Sequence, residues 1–169
     1  MTFLTQLEQP DTGRTRVGRT FGSVARLPRY LLPDEGVFHV ATRGVDKMSI
    51  YRDDDDRRAF LGLLGIAVER FEWTCHAFCL MTTHYHLVVE GLRVNLSAGL
   101  ELLNGVYAQG FNNRHRRWGH VFGDRFWCRS VTEEQLEPVC LYVMVNPIRA
   151  GLCDQIADWP WSACRFELG

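Results

Sequence analysis

His84-Tyr85-His86 leads directly into the apolar, strand-forming run Leu87-Val88-Val89. On a β-strand, residues i and i+2 share a face. Both imidazoles can therefore reach one metal ion, while Tyr85 points the opposite way. Further along, Tyr142 and Asn146 stand four apart in a predicted helix, on one face and a turn from each other. Leu136, Val139, Cys140 and Val143 would pack that helix on the sheet. If it crosses the histidine strand, Asn146 offers a carbonyl oxygen to the metal and Tyr142 a phenol beside it. This set suits attack of a tyrosine oxygen on a DNA phosphodiester. The bond energy stays in a phosphotyrosine, so a free 3′-hydroxyl reverses the step without ATP. A free phenol titrates at about 10 and is a poor nucleophile at neutral pH. A divalent cation helps by polarising the phosphate oxygen and balancing the developing charge. Imidazole favours Mn²⁺ or another transition metal over Mg²⁺, although Mg²⁺ is far more available in cells.

Each part has a plainer reading alone. Two histidines can be half-buried on a sheet, and Tyr142 can be a packed aromatic; the joint pattern carries the argument. Among the other tyrosines, Tyr107 belongs to a core stripe and is the runner-up nucleophile. Tyr30 and Tyr51 flank the first strand without a ligand-like neighbour at helical spacing. Cys75-His76 with Cys79 is a zinc fragment that lacks a second cysteine pair.

The elements that must position these groups follow from periodicity. Val37 to Thr42 reads as a strand ended by Arg43-Gly44. Asp53-Asp54-Asp55-Asp56 opens a helix, since early carboxylates suit a helix N-terminus. These four fan out, which predicts a solvated helix start and not a metal site. Phe60, Leu61, Leu63, Leu64 and Ala67 give that helix its apolar face. Phe71 to Leu80 and His84 to Glu90 make a hairpin around Met81-Thr82-Thr83. A second helix is predicted from about Ser97 to Asn112, with Leu96, Leu100, Leu103, Tyr107 and Phe111 as its core stripe. Ser130 or Thr132 caps a third helix, with Glu133 or Gln135 completing a capping box. It ends near Asn146, because Pro147 disfavours helical geometry in the residue before it.

Between the second and third helices, positive charge is interleaved with aromatics. Arg114, Arg116, Arg117, Arg125 and Arg129 can neutralise phosphates, and Trp118, Phe122, Phe126 and Trp127 can stack on unpaired bases. Arg43 joins this DNA-binding set. The chain as a whole carries a formal net charge of −1, so nucleic-acid binding must come from such a local patch. With 169 residues, 46% hydrophobic and 23% charged, the sequence suits one globular domain. The expected layout is a flexible basic segment over residues 1–27 and a single domain over residues 28–169. No apolar stretch approaches the roughly 20 residues a membrane span needs. The N-terminus lacks the charged head and apolar centre of a signal peptide. The six cysteines include no C-x-x-C pair, which predicts reduced, mostly buried thiols and a cytoplasmic, nucleoid-associated protein.

Taken together, these blocks resemble the HUH single-tyrosine transposases of insertion sequences, and within them the REP-associated tyrosine transposases. The resemblance runs from about Pro28 to Phe166. It includes Phe38-His39-Val40 with Arg43-Gly44, and Met81-Thr82-Thr83-His84-Tyr85-His86-Leu87. It continues through Tyr107 to Asn112, Gly119-His120-Val121-Phe122 with Arg125-Phe126, Tyr142 through Asn146-Pro147 to Leu152, and Trp159-Pro160-Trp161-Ser162. The family usually has Pro-Asn where this chain has Thr82-Thr83, and often Asn where it has Val45. The resemblance implies an α+β fold, an antiparallel sheet with helices packed on it, of the ferredoxin-like or RRM-like HUH type. It implies that His84 and His86 bind a divalent metal, Mg²⁺ or Mn²⁺, with Asn146 as the amide ligand and Tyr142 as the nucleophile. The implied substrate is single-stranded DNA with palindromic hairpins, nicked and rejoined through a 5′-phosphotyrosine by a monomer or homodimer. A competing expectation is a domesticated, non-catalytic single-strand DNA or RNA-binding protein. A replication initiator or relaxase would normally carry attached domains for which this chain has no room.

Overall fold

The computed structural model describes residues 31–123 and 125–166. The basic segment expected over residues 1–27 lies outside the described residues. In chain order the elements are β1 (Glu35–Arg43), α1 (Asp54–Arg70), β2 (Thr74–Leu80), β3 (His84–Leu92), α2 (Arg93–His115), β4 (Trp127–Val131), α3 (Glu133–Met144), α4 (Asn146–Arg149) and β5 (Ser162–Cys164). The strands form one sheet in the order β4-β1-β3-β2-β5, with every pairing antiparallel. From β1 to β4 the chain follows the βαββαβ pattern of ferredoxin-like folds. The expected α+β architecture is the observed one.

Alternation along the strands gives the sheet two different faces. Phe38 and Val40 of β1 and Tyr85, Leu87 and Val89 of β3 pack against α1 and α2 in the larger core. Phe60, Leu64 and Ala67 supply the buried side of α1; Leu96, Leu100, Leu103, Tyr107 and Phe111 supply that of α2. On the other face, Ala77, Cys79, Val88 and Val131 meet Val139, Cys140 and Val143 of α3. The packing residues expected of both later helices are those observed.

Several boundaries differ from the sequence expectations, each for a local reason. β2 begins at Thr74, because Phe71 caps α1 through Ala67 O and Glu72 takes a left-handed φ of 54°. α2 begins at Arg93, directly after β3, since its stripe residue Leu96 must already be helical to be buried. Gly99 lets this helix lie on Trp73: a Cβ there would stand 2.3 Å from the indole ring. α1 starts as expected, with the Asp53 carboxylate accepting the Asp56 N–H at 3.0 Å. Asp56, however, is not solvated: it is 3% exposed and accepts the Arg52 N–H at 2.8 Å. Thr132 and Gln135 form the capping box of α3.

α3 stops at Met144, two residues earlier than expected, and the chain resumes as α4 after Val145. Pro147 has no N–H to donate into the preceding turn. The Asn146 side chain compensates: its Nδ2 donates to Tyr142 O at 2.7 Å and to Val143 O at 3.5 Å.

Candidate functional site

The site is built where the α3 face of the sheet meets α3. In β3, alternation sends His84, His86 and Val88 to this face and Tyr85 to the other. The Tyr85 hydroxyl donates to Asn104 Oδ1 at 2.8 Å in the opposite core. Tyr107 is also spent there, its hydroxyl donating to Ile50 O. Pairing of β1 with β3 sets Ala41 opposite His86 and Arg43 opposite His84. Pairing of β1 with β4 sets Arg129 opposite His39 and Trp127 opposite Ala41. Arg43, Arg129, Trp127 and His39 therefore share the face of the two histidines.

The rings form a tight group. His84 and His86 have centroids 5.1 Å apart. The Tyr142 ring stands 6.2 Å from His86 and 6.0 Å from His39, edge-on to both. His39, 2% exposed, brings its Nε2 to 3.1 Å from Nδ1 of the fully buried His86. Trp127 closes on His39 at 5.1 Å. Arg149, seven residues after Tyr142, places its guanidinium 5.6 Å from the phenol ring centre. Asn146 sits between them in sequence, one turn past Tyr142. Its Nδ2 is committed to the end of α3, which leaves the amide oxygen as the end available to a ligand.

Burial keeps these imidazoles neutral. It lowers the His84 pKa to about 4, helped by Arg43. It lowers that of His39 to about 3, helped by Arg129. His86 is pushed well below its ordinary value by burial, then by His39, His84 and Arg43. A neutral imidazole offers a lone pair, as a metal requires. Two such rings and an amide oxygen are a donor set that fits Mn²⁺ and accepts Mg²⁺.

A second cluster lies on the opposite side of the sheet. Among the described residues, Asp53, Asp56 and His115 bring ligand atoms within 4.8 Å of one another. A cation is already present there. Arg114 Nη1 lies 2.7 Å from Asp53 Oδ1 and 2.6 Å from Asp56 Oδ1, and His115 Nε2 lies 2.8 Å from Asp56. These ion pairs fasten the start of α1 to the end of α2. Arg114, expected among the phosphate-binding residues, thus has its charge balanced within the chain.

The remaining expected DNA-binding residues cluster on the loop after α2 and on β4. Arg116, in left-handed conformation, Arg125 and Arg129 are exposed, Arg117 is half-buried, and Trp118 is 94% exposed. This loop is stitched to the end of β1. Val45 N–H donates to Val121 O at 3.0 Å and Gly123 N–H to Arg43 O at 3.0 Å. Gly44 lets the chain turn closely on itself just after β1: a Cβ on it would stand 2.4 Å from Met48 O. The loop therefore begins beside Arg43, across from His84, and reaches outward to Trp118.

His39 and Arg149 received no role at the sequence level, and Trp127 was read only as a base-stacking aromatic. Arg149 was findable, since i, i+4, i+7 from Tyr142 continues one helical face. His39 was not, because its place depends on how β1 registers against β3.

Residues 36–146 match the family model described as “Transposase IS200 like”. That span holds His39, His84, His86, Tyr142 and Asn146. No curated protein matches the chain. Among solved structures, the fold is similar to “Structure of the REP associates tyrosine transposase bound to a REP hairpin”, with TM-score 0.64, 14% identity and 82% of each chain covered. A second similar structure is “Crystal structure of a putative transposase from deinococcus radiodurans r1”. There the TM-score is 0.48 and the identity 14%, covering 76% of this chain and 95% of that one. Among the described residues, no helix is long and apolar enough to cross a membrane.

Proposed function

The chain belongs to the IS200-like transposase family, and from that premise we propose that it nicks and rejoins single-stranded DNA at hairpins through a 5′-phosphotyrosine on Tyr142. One observation carries this reading: the Tyr142 ring lies 6.2 Å from His86, which is itself 5.1 Å from His84. A phenol thus meets a pair of imidazoles on one face of one sheet, which supports a nucleophile beside a cation. A solved structure similar in fold, with TM-score 0.64, is described as bound to a REP hairpin, which supports a hairpin substrate.

In this reading the Tyr142 oxygen bonds to the phosphorus as the bond to the 3′ oxygen breaks. The phenol gives up its proton, and the departing 3′ oxygen takes one up. The reverse attack by a 3′-hydroxyl rejoins the strand and frees Tyr142. His84, His86 and the Asn146 oxygen would hold a divalent cation, whose chemistry is to polarise a phosphate oxygen and offset the charge that develops on it. Arg43 and Arg129, on the same face, attract the backbone. Arg149, over the phenol ring, adds positive charge beside the attacking side chain. Trp118, with Arg116, Arg117 and Arg125 near it in the chain, offers a platform on which an unpaired base stacks.

Incubation with hairpin-bearing single-stranded DNA and Mn²⁺ should give a covalent adduct that survives denaturing electrophoresis. Tyr142→Phe should abolish it; an undiminished adduct would mean that another residue is the nucleophile. The exposure of Trp118 also suits a binder without turnover. That alternative requires hairpin binding insensitive to EDTA and no adduct with any hairpin.

A further inference from the structure

We propose that His39 is a positioning residue: it accepts the Nδ1–H of His86 and so keeps the Nε2 lone pair of His86 for a divalent cation. This inference rests on the metal-dependent reading above. A neutral imidazole has one N–H and one lone pair, and the hydrogen bond made by one nitrogen decides which form the other takes. His86 Nδ1 faces His39 Nε2 at 3.1 Å. That bond can run in either direction. Only with His86 as donor is its Nε2 left bare, and a cation needs that lone pair. Partners behind a ligating histidine act in this way, fixing tautomer and ring orientation together.

The surroundings of His39 argue that its imidazole is there for this bond. The residue is 2% exposed in a central strand, opposite Val88 in β3. An apolar side chain would fill that place without the cost of burying polar atoms. Its Nδ1 is buried with no hydrogen-bond partner among the described residues. Packing supplies what hydrogen bonding does not. Trp127 at 5.1 Å and Tyr142 at 6.0 Å both meet the His39 ring edge-to-face, which restricts its rotation. The same ring thus touches the ligand that it orients and the nucleophile that the cation serves.

Two variants test the assignment. His39→Gln keeps an acceptor oxygen in reach of His86 Nδ1, whereas His39→Leu keeps bulk and removes the acceptor. Imidazole nitrogen NMR on the metal-free parent should show His86 protonated on Nδ1. The Leu variant should shift it toward the Nε2–H form, and the Gln variant should retain the parental signature. Mn²⁺ titration followed by electron paramagnetic resonance should give affinities for parent and Gln within about threefold of each other. For the Leu variant it should give one about 10 to 100-fold weaker. Should the Leu variant fail to fold, the parental tautomer and the Gln affinity still decide. Finding the parental His86 in the Nε2–H form overturns the proposal, as does a folded Leu variant that binds Mn²⁺ like the parent. A parent that binds no Mn²⁺ overturns the metal-dependent reading itself, and this inference with it.

Discussion

At the scale of single residues, two clusters of histidine and polar groups compete for the role of cation site, and one pair of substitutions separates them. Asp56 is 3% exposed and is engaged by Arg52 N–H, Arg114 and His115. Asp56→Ala leaves those partners uncompensated, so it should destabilise the fold by about 2–3 kcal/mol in urea titrations and leave Mn²⁺ affinity unchanged. His84→Ala should do the reverse. Its side chain is only half-buried, so stability should fall little, while Mn²⁺ affinity should drop at least about tenfold. An Asp56→Ala variant that folds but no longer takes up Mn²⁺ would move the metal to the aspartate cluster. The His84 and His86 pairing was legible in the sequence because alternation is a local property of a strand. The burial of Asp56 was not, because its partners Arg114 and His115 come 58 and 59 residues later.

Among elements, the segment between α2 and β4 combines a fixed root with an exposed tip. Its root is hydrogen-bonded to the end of β1 through Val45 and Gly123. Its tip presents Trp118, 94% exposed. Trp118→Ala should therefore leave the melting temperature unchanged. It should weaken hairpin binding by ~1–3 kcal/mol at fixed salt, the worth of one stacked base, as read by fluorescence anisotropy. Unchanged affinity would remove this loop from the DNA interface. Helices were legible in the sequence wherever a stripe or a capping box marked them, as for α2 and for Thr132 with Gln135 in α3. The break at Val145 was only half legible. Pro147 announced an end, but the side chain that takes over its missing donor, Asn146, had been read only as a ligand.

For the whole molecule, burying three histidines near the middle of one sheet makes stability depend on pH. Folded, His39 and His84 titrate at about 3 and about 4, and His86 well below its ordinary value. Unfolded, each takes up a proton at about pH 6.5. Below that pH the unfolded chain binds more protons than the folded one. Stability is therefore complete above about pH 6.5 and falls as the pH drops, by up to ~1.4 kcal/mol per pH unit for each histidine. Urea midpoints of EDTA-treated protein should be clearly lower at pH 5 than at pH 7.5. Equal midpoints would mean that the three rings are open to solvent. The βαββα order was legible as a pattern of strands and helices, whereas β4 lies at the end of a stretch read only for its basic and aromatic residues. The meeting of β1 with β3, which brings His39 to His86, is a long-range register that no single segment encodes.

β3 also has a consequence as a piece of writing. Its letters carry two interleaved texts: Tyr85, Leu87 and Val89 spell a hydrophobic interior, while His84 and His86 spell the proposed cation site. Each text can be revised without garbling the other, because they face opposite sides of one sheet. A slip of one residue in the pairing with β1 would exchange the two messages and leave neither readable. The nine-residue ladder from Glu35–Leu92 to Arg43–His84 is the punctuation that keeps them apart.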